Sequence, residues 1–540
     1  MTRNGATAVV EALVAAGVRH LFSVSGNQIL SVYDATVDRP VDIIHTRHEA
    51  AAVHMADAWG RCTERPGVAL VTAGPGHMNA LSALYGALMS ESPMVLLSGH
   101  CGLPQLGRGG FQEMDQVGAA QPVAKAAWLA RDPARVGDDV QRALSLAASG
   151  RPGPVHLSLP ADVLEAPLPS DASFPLPLGG EGQGEGAATA VDDALLAQIL
   201  TLLHAAARPL ILAGPAMGRG PRWDAVRQLS DATHIPALPI ESPRGLNDPW
   251  LRGAGALFAE ADLVLLLGKR LDYTLRFGQP PGFAAACRFV HVDVDAAPGP
   301  RAALAVAADP WRAAEGLRAA AATLRWGHGA WRERVLAARA ARPPEWTRLR
   351  AGATAPMHPL RVCAALQPHL DRGALLVSDG GEFGQWAQAD LDASTRLING
   401  PSGSIGSAIP MAIAARLAHP DRPVIATLGD GTFGFHAFEL DTAVRYGLPV
   451  VAVVGNDARW NAEHQIQLRQ YGAERAIGCA LLPSRYDQVA QALGAHGERV
   501  EAPTDLDAAV ARALAAGRPA CVDVRIDGVP APTYSTTAGH

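Results

Sequence analysis

Short apolar runs alternate with helix-period stretches along most of this 540-residue chain, and that alternation restricts the fold more than any other feature. His20–Val24, Val41–His45, Val68–Thr72 and Met94–Ser98 read as buried strands, with Gly-containing loops following several of them, and Gly17 ends a first helix. Strands separated by helices predict a parallel sheet covered on both faces. Ligands of such sheets sit at the carboxyl ends of the strands. The loops that follow the strands are therefore where chemistry is to be sought.

Two stretches break the rhythm. Pro167–Gly186 is rich in Pro and Gly and lacks periodicity, and Arg342–Pro359 is a second, weaker break. The expected organisation is a first block over 1–166, a linker over 167–189, a middle block over 190–340 and a third block over 356–530. In the middle block Leu210–Leu212, Leu263–Leu267 and Phe289–Val294 read as strands, and the Ala-rich Ala302–Leu324 reads as one helix. The fold class expected is α/β, with three doubly wound parallel-sheet domains.

Bulk composition excludes several classes. Hydrophobic residues make up 48% and charged residues 18%, so a large core can form and wholesale disorder is excluded. A formal net charge of -6 argues against a nucleic-acid partner. Cys62, Cys101, Cys287, Cys363, Cys479 and Cys521 are scattered with no CxxC pair, which argues against a zinc site or disulfide framework and suits a reducing cytoplasm. The N-terminal MTRNGATAVVEALVAAGVRHLF has helical spacing rather than a continuous apolar core, and the apolar runs are too short to span a bilayer. A cytoplasmic enzyme without membrane attachment is expected.

The most specific segment is VIATLGDGTFGFHAFELDTAVRYGLPVVAVVGND. The strand Val424–Leu428 runs into Gly429-Asp430-Gly431-Thr432, and the strand Val450–Val454 runs into Gly455-Asn456-Asp457, with 24 residues between Gly431 and Asn456. Two adjacent parallel strands would deliver oxygen ligands to one edge, and glycines let backbone approach a bulky anion. A hard cation wants such oxygens and is commonly completed by phosphates. Gly-Asp-Gly alone is more often only a tight turn; the second loop at this spacing decides against that.

Other segments fit one edge. HTRHEAAAVHMADAWGR puts Glu49 at the start of a helix, where a carboxylate is normally stabilised, next to the apolar run Ala50-Ala51-Ala52-Val53. Thr72-Ala73-Gly74-Pro75-Gly76-His77-Met78-Asn79 is a strand end, a Gly-rich turn and a helix start. Gly110-Phe111-Gln112-Glu113 and Gly403-Ser404-Ile405-Gly406 are further loops of mixed Gly and functional residues. A strand-linked GxGxxG with a downstream acid is not found, which argues against a nicotinamide-dependent oxidoreductase.

Together these segments resemble the thiamine diphosphate-dependent enzymes, specifically the acetolactate synthase large-subunit group of 2-oxo acid decarboxylases and carboligases, and the match runs through all three blocks, including Arg151–Val155. The resemblance implies thiamine diphosphate and Mg²⁺ as cofactors. Asp430, Asp457 and the backbone carbonyl of Arg459 would hold the metal, Asp457 standing where the family has Asn. Gly429, Gly431 and Thr432 would flank the diphosphate. Glu49 would share a proton with the aminopyrimidine ring, so that the thiazolium carbon can be deprotonated. Gly26, Thr72, Gly74, Pro75 and Asn79 would line the cofactor. Ile405 would wedge between its rings, with Gly403 and Ser404 beside it. Phe111 and Gln112 would face the reacting carbon.

Departures from the family pattern are as informative. Ser25-Gly26-Asn27 replaces the usual Pro-Gly pair, making Asn27 a candidate catalytic group, and Gly381-Glu382-Phe383-Gly384 replaces Gly-Gln-His-Gln, making Glu382 and Phe383 cofactor candidates. His100 is a candidate acid–base group, although a lone His is more often structural. Leu251–Asp262 is shorter than the family's FAD-binding segment and lacks its Gly-Met-His-Gly, which argues against FAD. The resemblance leaves open a benzoylformate-type decarboxylase and a 2-hydroxyacyl-CoA lyase or oxalyl-CoA decarboxylase. The substrate would be a small 2-oxo acid or acyl compound, and the active unit a homodimer or homotetramer with sites between subunits.

Overall fold

The structure is a computed structural model, described over residues 3–169, 191–299 and 301–534. Most of the expected linker therefore lies outside the described residues. Three sheets form, and every strand pair within them is parallel.

The first sheet comprises β1 (His20–Ser23), β2 (Asp42–His45), β3 (Gly67–Val71), β4 (Met94–His100), β5 (Ala126–Leu129) and β6 (Pro154–Pro160), in the order β2-β1-β3-β4-β6-β5. The middle sheet comprises β7 (Pro209–Ala213), β8 (Ala237–Pro239), β9 (Leu263–Leu267), β10 (Arg288–Asp293) and β11 (Ala302–Ala307), in the order β11-β10-β9-β7-β8. The third comprises β12 (Leu375–Ser378), β13 (Arg396–Ile398), β14 (Val424–Gly429), β15 (Val451–Asn456), β16 (His496–Val500) and β17 (Ala520–Arg525), in the order β13-β12-β14-β15-β17-β16. The first and third sheets thus share one strand order. Central strands such as β3, β4, β7 and β9 are buried along their whole length, as a sheet covered on both faces requires.

One expectation is corrected. Ala302–Leu324 is not a single helix: Ala302–Ala307 pairs with β10, and a helix then runs over Pro310–Ala321. Asp309 caps that helix, its carboxylate accepting from the amides of Trp311 and Arg312, with Pro310 at the first helical position. Tertiary pairing overrides the helix propensity of alanine at the sheet edge.

The first and third domains of one chain pack closely. The helix Glu49–Thr63, whose buried apolar side chains are mostly alanine, lies against the helix Ala408–Ala418, which is buried over most of its length, and both belong to one apolar cluster. Small side chains let the two helices approach. Polar ties reinforce the contact: Arg61 donates to the Ile398 carbonyl, the Arg47 amide donates to Glu439 at 2.9 Å, and the Tyr446 hydroxyl donates to the Ile43 carbonyl at 2.8 Å.

Candidate active site

On the first sheet the functional side chains gather where β1 and β3 end. His48 caps the helix Glu49–Thr63, its ring nitrogen accepting from the Ala50 amide at 3.0 Å, and this places Glu49 in the first turn. Asn79, on the helix Pro75–Met89, donates its amide to the Glu49 carboxylate at 3.0 Å. A side chain at Gly76 would come within 3.3 Å of the other Glu49 oxygen, and one at Gly26 would strike Thr72 at 2.4 Å. Gly74, at φ +56, brings the strand end under the Gln112 backbone. Gly26, Glu49, Thr72, Gly74 and Asn79 are therefore brought together, with Pro75 exposed at the turn.

Gln112 reaches the same group on a loop whose tip, Phe111, is 69% exposed. The Glu113 carboxylate holds that loop by accepting from the amides of Gly107, Gly109 and Gly110. Asn27 is exposed, whereas its neighbour Gln28 is buried and bonded to both Thr72 and Gln112. Sequence reasoning named Asn27 and passed over Gln28. The short 3₁₀ turn Asn27–Ile29 directs one side chain out and the next inward, a choice that residue types alone do not reveal. His100 is not brought to this group. It is buried with both ring nitrogens 3.1 Å from backbone carbonyls, those of Cys101 and Met114, and lines a separate cavity with Trp128 and Arg131.

On the third sheet, the pairing of Gly429 with Gly455 aligns the ends of β14 and β15. Asp430 and Asp457 follow at that edge. Asp430 is buried; one carboxylate oxygen accepts from the Gly431 amide at 3.0 Å and the other has no hydrogen-bond partner. Backbone amides of Ala458 and Arg459 also face this carboxylate, from a turn in which Ala458 adopts φ +58. Burial pushes Asp430 up to about 6, and burial, then the charge of Asp430, pushes Asp457 up to about 7. An orphaned buried carboxylate oxygen beside a second carboxylate that resists ionisation suits a divalent cation. Among the described residues no cluster of three or more His, Cys, Asp or Glu side chains could hold a metal. Hard carboxylate oxygens of this kind suit Mg²⁺ rather than zinc. Asn456 is occupied elsewhere, bonding Asp523, the Ser484 carbonyl and Arg525.

Gly431 lies beneath Trp460, where a Cβ would sit 2.7 Å from the ring, and Thr432 turns its hydroxyl back to the Gly429 carbonyl at 3.0 Å. The loop Gly400–Gly406 uses positive φ at Gly400, Gly403 and Gly406. Asp379, which sequence reasoning also missed, anchors it: its fully buried carboxylate accepts from the amides of Gly380, Gly406 and Ala408. Asn399 donates to the Ser404 carbonyl at 2.9 Å. Ile405 and Gly403 line a cavity of about 460 Å³ with Gly380, Gly381, Arg244 and Asn247. Glu382 and Phe383 are not among its walls. The helix Gly381–Asp390 turns Glu382 toward the C-terminal tail, where it accepts from the Ala531 amide at 2.9 Å, and buries Phe383 in the third-domain core against Gly455. Among the described residues no hydrogen bond joins the Glu49 group to the Asp430 group within one chain.

The fit of these half-sites to known proteins is direct. Residues 3–119 match the N-terminal TPP binding domain of thiamine pyrophosphate enzymes, 196–317 the central domain and 379–524 the C-terminal TPP binding domain. The chain is 35% identical over 545 residues to an acetolactate synthase large subunit of Mycobacterium tuberculosis, spanning 97% of this chain and 96% of that protein. It is 30% identical to a 2-hydroxyacyl-CoA lyase of Oryza sativa subsp. japonica, spanning 98% and 96%, and 28% identical to an oxalyl-CoA decarboxylase of Escherichia coli K12, spanning 99% and 96%. Likeness of this extent, with both cofactor-binding halves present, makes the chain a member of the thiamine pyrophosphate enzyme family, acetolactate synthase-like over nearly its whole length.

Proposed function

We propose that this enzyme decarboxylates a 2-oxo acid and joins the remaining fragment to a second carbonyl, as in acetolactate synthesis, using thiamine diphosphate with Mg²⁺. The observation that carries the reading is the pair of half-sites: Glu49 held by Asn79 at the first edge, and the orphaned Asp430 oxygen beside Asp457 at the third. When bound, thiamine diphosphate supplies a carbon nucleophile for the substrate carbonyl and an electron sink for the bond that breaks. Asp430, Asp457 and the Arg459 carbonyl would hold the metal and, through it, the diphosphate. Ile405 would pack against the cofactor, and the Gly403 carbonyl would accept from its amino group. Glu49 holds the proton shared with the pyrimidine ring, and Asn79 fixes the orientation of that carboxyl.

Arg244 favours an anionic substrate. It lines the cavity that holds Ile405, and adjacent Pro243 lies 3.7 Å from where a Gly403 side chain would begin. Its guanidinium makes no ion pair among the described residues, although Glu463 shares the cavity. Burial and nearby cationic Arg469 disfavour its charge, partly offset by Glu382, Asp248 and Glu463. A substrate carboxylate would complete it. The lyase and decarboxylase relatives keep a second reading open, in which the substrate is a 2-hydroxyacyl- or oxalyl-CoA. The test is apo-protein incubated with thiamine diphosphate, Mg²⁺ and a panel of 2-oxo acids and acyl-CoA compounds, following CO₂ and condensation products. Turnover confined to the CoA compounds would replace the first reading by the second.

The functional unit we propose is at least a homodimer, one chain supplying Glu49 and its partner Asp430. The helices that carry the two half-sites also bear exposed apolar side chains, Met78 and Tyr85 on Pro75–Met89 and Phe435 on Asp430–His436 with Phe438 just beyond it, which a monomer would leave in water. No described helix is long and apolar enough to cross a membrane. We propose a cytoplasmic site of action, which the six free cysteines suit. We also propose that FAD is absent. At the carboxyl edge of the middle sheet Arg151 is tied to Glu91, Asp293 and Asp295, internal partners for the charge a nucleotide would seek.

A further inference from the structure

Gln28 is 8% exposed, and both ends of its amide are used. Its oxygen accepts from the Thr72 hydroxyl at 2.5 Å, and its nitrogen donates to the Gln112 side-chain oxygen at 3.0 Å. The packing leaves little freedom: a side chain at Gly99 would lie 2.8 Å from the Gln28 Cβ. Three loops are thereby joined in one hydrogen-bonded chain, Thr72 to Gln28 to Gln112.

Gln112 itself is held in place by its backbone. It adopts φ +59, its carbonyl oxygen lies against Gly74, and Glu113 ties the loop on the far side. What the backbone leaves free is the rotation of the Gln112 amide, and a half-turn exchanges a donor for an acceptor at the same point in space. With its oxygen committed to Gln28, Gln112 presents its NH₂ to the open side, where that group has no partner among the described residues. A non-glycine residue held at positive φ beside a functional cluster fits a side chain placed for a purpose.

We infer that Gln28 is a positioning residue that fixes the Gln112 amide as a donor, selecting substrates that bring a carbonyl or carboxylate oxygen to that face. The inference rests on the proposed reaction, in which the Gln112 loop faces the substrate. Gln28→Glu keeps size and still accepts from Thr72, but an ionised carboxylate cannot donate to Gln112. The Gln112 amide should then turn its NH₂ inward and offer its oxygen outward, toward the substrate oxygen.

The test is steady-state kinetics on the complete chain with thiamine diphosphate, Mg²⁺ and the best 2-oxo acid of the panel. Four proteins are compared: the parent, Gln28→Glu, Gln112→Met and the double variant. Calorimetric titration of thiamine diphosphate into each controls for folding and should give affinities within about twofold of the parent. Gln28→Glu should raise KM by about tenfold, the effect of turning a hydrogen bond into an opposition of two acceptors. In the Gln112→Met background, where there is no amide to turn, the same substitution should change KM by less than about twofold. Equal effects in the two backgrounds, or an unmoved KM in Gln28→Glu, overturn the inference. Failure of the proposed reaction is separable, because it appears first as a parent inert toward 2-oxo acids.

Discussion

Replacing Asp457 by Asn tests the metal assignment through its pH dependence. Without a cation, burial and the charge of Asp430 push the Asp457 carboxyl up to about 7, and burial pushes Asp430 up to about 6. A divalent cation binds ionised oxygens and must displace whatever protons the pair holds. At pH 8 there are few. At pH 6 about ten in eleven Asp457 carboxyls and about half of the Asp430 carboxyls are protonated, weakening Mg²⁺ by about elevenfold and about twofold, or about twentyfold together. Both folded midpoints lie above the ordinary carboxylate range. Metal affinity is therefore nearly fully present at about pH 8 and is lost as the pH falls through 7 and then 6. Asp457→Asn keeps a side-chain oxygen at the site but has no proton to displace there. Its loss between pH 8 and pH 6 should shrink to about twofold. The assay is calorimetric titration of Mg²⁺ into each protein without thiamine diphosphate, the state in which these midpoints hold. Equal pH slopes in the two proteins would refute the reasoning.

Three further outcomes are expected. Arg244→Met should raise KM for 2-oxo acids by about tenfold or more with cofactor affinity retained, since a charge-assisted hydrogen bond to carboxylate is lost; an unchanged KM removes Arg244 from the substrate site. Inactive Glu49→Gln and Asp430→Ala proteins, unfolded and refolded together, should regain partial activity, because each mixed dimer holds one intact site; verified mixed dimers without activity, or an active monomer in sedimentation, would exclude the shared site. Purified protein should be colourless near 450 nm and release no flavin on denaturation, and a yellow protein would contradict the absence of FAD.

The sheets were legible because their strands announce themselves. Leu263–Leu267 is apolar throughout and lies where it was expected, and the ends of β14 and β15 carry Asp430 and Asp457 as the spacing implied. What could not be read is what depends on direction. Glu382 and Phe383 stand near the right loop, yet a helix starting at Gly381, at φ +81, turns one to the tail and the other to the core. Asp379 looks like any residue after a strand, and only the converging amides of Gly380, Gly406 and Ala408 reveal its task. Gln28 was hidden by Asn27, whose type suits chemistry better but whose side chain faces solvent. At Ala302–Ala307 the residues favour helix, and only the neighbouring strand decides otherwise. Residue type and spacing thus located the edges, while inward or outward orientation needed the packed structure.

Whether Glu49 holds the proton through which the cofactor is activated is measured most directly by hydrogen–deuterium exchange at the thiazolium carbon of bound thiamine diphosphate, read by quenched-flow NMR. Wild-type protein with Mg²⁺ should accelerate that exchange strongly over free cofactor. Glu49→Gln should bind the cofactor with little change and exchange at least about a hundredfold more slowly, the loss expected when a positioned acid–base group is removed. Wild-type exchange in Glu49→Gln, with the cofactor shown to be bound, would contradict the role given to Glu49 and the site built around it.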